Sequence, residues 1–283
     1  MALLNLNDVL SNYVSLLGTP FSNPNNWTSP QFADGPTRSG IQQNSLSITG
    51  TSNIDTTPIA ITGIGENMTV YQIINNLDSN IPSTKAVKLE QKVTEGTETT
   101  LTQGVETDIK ADASISGVLD FLTLGASASF TTKTSLTNSQ KTTNQKETTW
   151  AETTTVTVPA ATKATVYYTV TVGPFNIFVD VDINMIGTVT YFYIIGTPLF
   201  PNQGPFVKWT SAPIDIKTIF QSQNVQYPGI SYPSTGGVNI KGKVQLTGKF
   251  GLLTTTTMKT ESKNGATNTI PLGSTNQKQT FIF

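Results

Sequence analysis

The sequence predicts a mainly β protein built from long antiparallel strands, with one short helix near the N-terminus. Three observations carry this. Apolar and polar residues alternate over long runs at 107–134, 152–172 and 238–252, and a period of two marks strands with one covered face. Roughly a quarter of residues 84–165 are threonine, a β-branched residue that favours strands and tolerates water on one side. Three- and four-residue apolar spacing is clear only at Leu3, Leu6, Leu10, Val14 and Leu17, closed by Gly18 and Pro20.

Composition excludes most chemistry. The 283 residues carry a net charge of −1 with 12% charged residues, and Arg38 is the sole arginine among scattered lysines. Neither a nucleic-acid footprint nor a polybasic membrane patch is present. The chain has no cysteine and no histidine, which removes thiol and imidazole catalysis, disulfides and the common transition-metal ligands. No cofactor, metal or catalytic centre is expected. No run approaches the ~18 apolar residues of a membrane-spanning helix. The N-terminus lacks lysine and arginine and carries Asp8, unlike a secretory signal peptide; release by lysis of the producing cell is expected.

Taken in order, the N-terminal helix reads as docked on a sheet, since its polar face lacks lysine. Residues 21–40 are rich in Pro, Asn, Ser and Gly around Trp27 and Phe32. Residues 45–64 read as one or two strands broken at Pro58, and 69–77 as a short helix or strand. Acids at Glu90, Glu95, Glu98, Glu106 and Asp108 precede the 107–134 run, and Lys133, Lys141 and Lys146 follow, the charge pattern of one antiparallel ribbon. Residues 152–172 read as one long strand, bent at Pro159 between two sheets. Two strands are expected within 175–195, where Asp180 and Asp182 read as a solvated face rather than a calcium corner. Residues 196–237 are loop-rich, with Trp209, Tyr227 and Tyr232 beside Pro and Gly; such rings serve either sugar and headgroup binding or a small core beneath the loops. Alternation returns at 238–252, with Lys241, Lys243, Gln245 and Lys249 opposite the apolar row. The tail after 259 is polar and turn-rich, either detachable or strand-adding.

The 107–134 run alternates twice. On its first limb Ile109, Ala111, Ala113, Ile115 and Gly117 face one way, and Lys110, Asp112, Ser114 and Ser116 the other. On the second, Leu124, Ala126, Ala128 and Phe130 oppose Ser127, Ser129, Thr131 and Lys133. Folding about residues 119–122 sets Ile115 against Ala126, Ala113 against Ala128 and Asp108 against Lys133, leaving an apolar tip of Val118, Leu119, Asp120, Phe121 and Leu122. Each limb matches the ~9–11 residues of a tilted membrane strand. The same pattern also serves a hairpin with one buried face in a soluble β protein.

The Thr/Ser-rich ribbon around this hairpin, followed by Thr-Thr-Thr-Val-Thr-Val-Pro-Ala-Ala-Thr-Lys-Ala-Thr-Val at 153–166, resembles the aerolysin-type β-pore-forming toxins. Within them it is most similar to the family of the clostridial epsilon-toxin and the mosquitocidal toxins, which includes Bacillus crystal proteins. The resemblance covers about residues 84–252. It implies an elongated architecture of long twisted strands: a discontinuous receptor-binding head (1–84 with 173–237), a pore-forming body and sandwich (85–172 with 238–258) holding the hairpin 107–134, and a tail (259–283) removed on activation. It further implies a soluble chain that a protease trims, that binds a receptor of glycan, lipid or protein nature on the target-cell membrane, and that inserts its hairpins as a homo-oligomeric barrel. The apolar residues of both limbs would then face lipid, and the polar ones, Lys110, Asp112, Ser114, Ser116, Ser127, Ser129, Thr131 and Lys133, the lumen. Trp27, Phe32, Trp209, Tyr227 and Tyr232 become receptor candidates, and Lys259, Lys263 and Lys278 cleavage candidates. A non-toxic carbohydrate-binding or adhesion sandwich is the competing expectation.

Overall fold

The computed structural model describes residues 3–16, 39–42, 45–52, 58–195, 207–210, 212–223, 227, 229–276 and 279–282. In chain order the elements are β1 (Leu4–Asn5), α1 (Leu6–Leu16), β2 (Ser39–Gln42), β3 (Ser47–Ser52), β4 (Ile59–Ile61), β5 (Glu66–Asn76), β6 (Ser83–Gln103), β7 (Val105–Glu106), β8 (Asp112–Phe121), β9 (Ala126–Ser135) and β10 (Thr142–Val158). There follow β11 (Thr162–Ile186), β12 (Thr188–Ile195), β13 (Val207–Thr210), β14 (Ile214–Asp215), α2 (Ile216–Ser222), β15 (Ile230–Ser231), β16 (Val238–Ser262), β17 (Thr267–Asn276) and β18 (Gln279–Ile282).

The spine is the antiparallel pair of β11 and β16, 25 residues each, matched from Thr162 opposite Ser262 to Met185 opposite Val238. At ~3.3 Å per residue this ladder is roughly 80 Å long, and it makes the fold elongated as well as mainly β. One bulge interrupts it: Thr171 faces Leu253, but Val172 faces Gly251. On one side of the bulge β5 and β17 flank the spine, and the ribbon of β6 and β10 packs across it. Val87, Val93, Trp150, Val166, Tyr168 and Met258 fill that sandwich. On the other side a larger core joins Phe175, Val179, Ile183, Leu246 and Phe250 to both helices and to the hairpin of β8 and β9.

Glu95 ties the layers together at the bulge. Its buried carboxylate accepts the N–H of Gly251 (2.8 Å) and the hydroxyl of Thr148 (2.5 Å). The N–H at the irregular point of the ladder is thus satisfied by a side chain from the other layer, as a buried donor requires. Inside the same sandwich, burial pushes the Tyr168 hydroxyl above its ordinary pKa, and the carboxylate of Glu152 adds to the shift.

Several expectations hold. β6 and β10 form the ribbon read from charge, with Glu98 bridged to Lys141 at 2.5 Å and Lys92 to Glu147 at 2.7 Å. Asp182 and Asp180 pair with Lys241 (2.5 Å) and Lys243 (3.7 Å) across the spine, so their strand face is balanced by lysines. Residues 66–76 are strand throughout.

Others are corrected. The 152–172 run is two strands, not one: β10 ends before Pro159, Ala161 takes a positive φ of 52°, and β11 starts in the other layer. The side chain of Asn76 fixes that corner by donating to the carbonyls of Val158 (3.3 Å), Pro159 (2.8 Å) and Ile81 (3.1 Å). Phe175 does not open a strand but lies midway along β11. Helix α2 was not expected in the loop-rich stretch, yet Ile216, Ile219 and Phe220 are buried at helical spacing and Asp215 caps the N–H of Lys217 at 2.7 Å.

Candidate insertion hairpin

β8 and β9 pair antiparallel from Asp112 opposite Ser135 to Phe121 opposite Ala126. The turn is the 3₁₀ segment Leu122–Leu124, closed by Gly125 in the left-handed conformation (φ 58°), whose N–H reaches the carbonyl of Leu122 at 3.4 Å. That conformation suits glycine. It moves the reversal past the expected residues 119–122, so Ile115 faces Thr132 instead of Ala126, Ala113 faces Thr134 instead of Ala128, and Lys133 faces Ser114 instead of Asp108. The register differs from the expected one by an even number of residues, and the division into two faces therefore survives.

The apolar row is buried. Ala113, Ile115, Leu119, Phe121, Ala126, Ala128 and Phe130 all lie in the larger core, and Gly117 is half-buried. Thr132 and Thr134 extend that row with buried hydroxyls. The rings of Phe130, Phe175 and Phe250 cluster, with centroids 5.1 to 6.5 Å apart. The opposite row, Asp112, Ser114, Ser116, Val118, Asp120, Ser127, Ser129, Thr131 and Lys133, is exposed or half-exposed, and Ser116 and Thr131 share a hydrogen bond of 2.9 Å.

The expected tip is redistributed. Leu119 and Phe121 point into the core, Val118 and Asp120 lie on the polar face, and only Leu122 belongs to the turn, 56% exposed. Ile109, Lys110 and Ala111 precede the paired strands, while Leu124 lies in the turn and packs against the core.

Both outer edges of the hairpin are occupied. β4 runs parallel to β8, pairing Ile59 to Ile61 with Leu119 to Phe121, and β18 runs parallel to β9, pairing Gln279 to Ile282 with Ala128 to Thr131. The turn itself is tethered where the Thr123 hydroxyl donates to the carbonyl of Gly63 at 2.8 Å. Underneath, Thr97 and Thr132 share a buried hydrogen bond of 2.7 Å, and Asn144 donates to Thr132 at 3.0 Å. The break at Pro58 and the strand-adding tail were legible in the sequence, but their partners were not, because each pairing links segments remote in the chain.

The aromatic and lysine candidates separate. Tyr227 and Tyr232 pack against the larger core. Tyr227 donates its hydroxyl to the carbonyl of Gly104 at 3.1 Å, and burial raises the pKa of both phenols. The satellite-core reading therefore fits these two rings. Trp209 pairs with Tyr193 between strands, while Trp27 and Phe32 lie outside the described residues, as does Lys278. Lys259 lies near the C-terminal end of β16 with strand partners on both sides, and Lys263 follows that strand, 3.4 Å from Asp78.

The family described as Clostridium epsilon toxin ETX/Bacillus mosquitocidal toxin MTX2 has a model that matches residues 41–280. The chain belongs to this family. It is a family of β-pore-forming toxins, not of enzymes. Two solved structures share the fold of this epsilon-toxin/mosquitocidal-toxin member at low identity. One is a chain of the Cry23Aa1 and Cry37Aa1 binary protein complex, with a TM-score of 0.62, 15% identity, and coverage of 97% of this chain and 98% of that one. Another is a non-toxic crystal protein from Bacillus thuringiensis, with a TM-score of 0.64, 19% identity, and coverage of 94% and 100%. The Mpp75Aa1.1 β-pore-forming protein from Brevibacillus laterosporus aligns over 85% of this chain and 77% of its own, at 16% identity and a TM-score of 0.40. No curated protein sequence matches. Among the described residues, no helix is long and apolar enough to cross a membrane.

Proposed function

We propose that this toxin-family member is a soluble pore-former that binds a receptor on its target membrane, assembles with copies of itself and releases β8 and β9 into a shared transmembrane barrel. The observation that carries this is the hairpin's mode of attachment. Its two ten-residue strands are long enough to cross a bilayer when tilted, and every backbone group of a closed barrel pairs within it. In the soluble fold the outer edges are held by β4 and β18, three and four residues long. Short parallel pairing is weak and yields to a neighbour's full-length antiparallel edge.

Adhesion to the body rests on few large side chains. Ile115, Leu119, Phe121 and Phe130 supply the bulk of the buried apolar surface, at about 1.5–3 kcal/mol each, and alanine, glycine and threonine make up the rest. On release the same row meets lipid, and the serine, threonine, aspartate and lysine row lines the lumen. Trimming of the tail removes β18 and opens the free edge of β9. Insect cells are the proposed target, and a spore-associated crystal the proposed form of release, in keeping with the crystal-protein fold.

Dye release from vesicles made with target-cell membrane, before and after trypsin treatment, tests this. Release that rises on trimming, together with rings on the membrane, supports the reading. The likeness to a non-toxic crystal protein favours a static binding sandwich as the second reading. A trimmed chain that binds cells but releases no dye would establish that one instead.

A further inference from the structure

The sandwich exposes one long strand edge that carries none of the usual protection. Among the described residues β5 pairs only with β11. Its sequence, Glu-Asn-Met-Thr-Val-Tyr-Gln-Ile-Ile-Asn-Asn, has no proline and no lysine, its pairing with β11 runs without a bulge, and its single charge sits at one end. Edge strands ordinarily carry lysine, proline or bulges because their free N–H and C=O groups template another strand. The other two long edges do carry them. β17 has Pro271 and a bulge opposite Thr256 and Thr257, and β10 carries Lys146, Glu147 and Glu152.

The outer face of β5 is also greasy. Tyr71 is 63% and Ile73 50% exposed, and Tyr71 sits beside Tyr167 with ring centroids 6.0 Å apart.

We infer that β5 is a self-association site, at which two copies of this chain join by an antiparallel, two-fold pair of β5 strands centred on Tyr71. Only an extended strand satisfies a backbone edge, and identical edges always admit such a two-fold pairing. Tyr71 is the central residue of the strand. In this register Thr69 opposes the partner copy's Ile73 on the outer face, and Met68 opposes its Ile74 on the inner one. Glu66 opposes Asn76, so no like charges meet. The pairing merges two sheets and sets the exposed Tyr71 and Ile73 side chains of the two copies beside one another as cross-strand neighbours. It is isologous and closes as a dimer, unlike the head-to-tail contacts a ring requires. The inference is thus independent of the pore reading.

The test uses the full chain, which has no native cysteine to interfere. Tyr71→Cys is expected to give a covalent dimer under mild oxidant, since directly opposed strand residues lie within disulfide range. Gln72→Cys, which opposes Val70, is expected to stay monomeric. Sedimentation of the unmodified protein should show a concentration-dependent dimer, which Ile73→Lys weakens on the order of tenfold because the substitution enters the interface twice. Hydrogen exchange on the unmodified chain keeps the idea falsifiable if a variant misfolds: protection of the 66–76 amides should grow with protein concentration. A monomer at all concentrations with unchanged β5 protection overturns the proposal. So does a monomer whose Tyr71 and Ile73 engage neutral vesicles or immobilised glycans instead.

Discussion

Phe121 lies against the backbone of Gly173: a β-carbon added at Gly173 would stand 2.7 Å from the Phe121 ring and closer still to Leu252. The hairpin is therefore seated on the one residue of β11 that offers no side chain there, next to the bulge. Close approach of this kind is a use of glycine within strands.

Gly173→Ala should wedge the hairpin away from the spine. Overpacking costs about 1–3 kcal/mol, and the strain falls on the contact that the proposed insertion would break. The expected outcome is a lower melting temperature with faster amide exchange across 112–135. Unchanged exchange in that segment would mean that Phe121 sits elsewhere.

Thr97 and Thr132 offer the opposite manipulation. Their hydroxyls are 2.7 Å apart and buried, one on β6 and the other on β9. Replacing both with cysteine should staple the hairpin to the body, since the two side chains already meet tip to tip. The oxidised variant should bind cells and release no dye, and reductant should restore release. Equal dye release in both redox states would show that β9 does not leave β6.

Much of this site was legible in the sequence, and the limits are instructive. Alternation fixed which residues of the hairpin share a face, because parity survives any even slip in register. It did not fix the register itself, which depends on Gly125 adopting a left-handed conformation, a feature the apolar run around it conceals. Asp180 and Asp182 were legible as a strand face, but Lys241 and Lys243 were not legible as their partners, because the pairing of β11 with β16 joins segments remote in the chain. Helix α2 carried a signal that passed unnoticed, Asp215 followed by Ile216, Ile219 and Phe220. The edge strands β4 and β18 were legible as a strand beyond Pro58 and a strand-adding tail, but their places against the hairpin were not, since nothing local in three or four residues specifies a distant parallel partner.

In the proposed barrel the polar row would line the lumen, and a charge exchange there is tolerable before insertion as well. Ala128 is a poor site for such a test: it is fully buried opposite Leu119, so Ala128→Arg would bury an unpaired charge and cost several kcal/mol before any membrane is met. Lys133 is exposed. Within the paired strands the row holds two carboxylates, Asp112 and Asp120, against one ammonium, Lys133. Lys133→Glu makes that three carboxylates per subunit, repeated around the ring. The reversal potential of single pores under a salt gradient should shift toward cation selectivity, with melting temperature nearly unchanged. An unaltered reversal potential would place Lys133 outside the lumen.

Activation should follow from which lysine a protease can reach. Proteases need an unpaired extended segment, and Lys259 has strand partners on both sides, Thr165 of β11 and Thr269 of β17. Lys263 instead sits at the turn before β17, where Gly265 takes a positive φ of 81° and the neighbouring residues are exposed. Its ion pair to Asp78, at 3.4 Å, joins two exposed groups and holds the turn weakly. Limited trypsin digestion of the folded protein should therefore cut after Lys263 and spare Lys259, as mass spectrometry of the products would show. That cut severs β17 and β18 from the body. Once the fragment dissociates, the β9 edge at 128–131 loses its partner, and its amides should exchange faster while those of β6 and β10 do not. Lys263→Gln should slow this trimming several-fold and delay dye release by the same factor. A variant trimmed and activated at the parent's rate would mean that the controlling cut lies elsewhere.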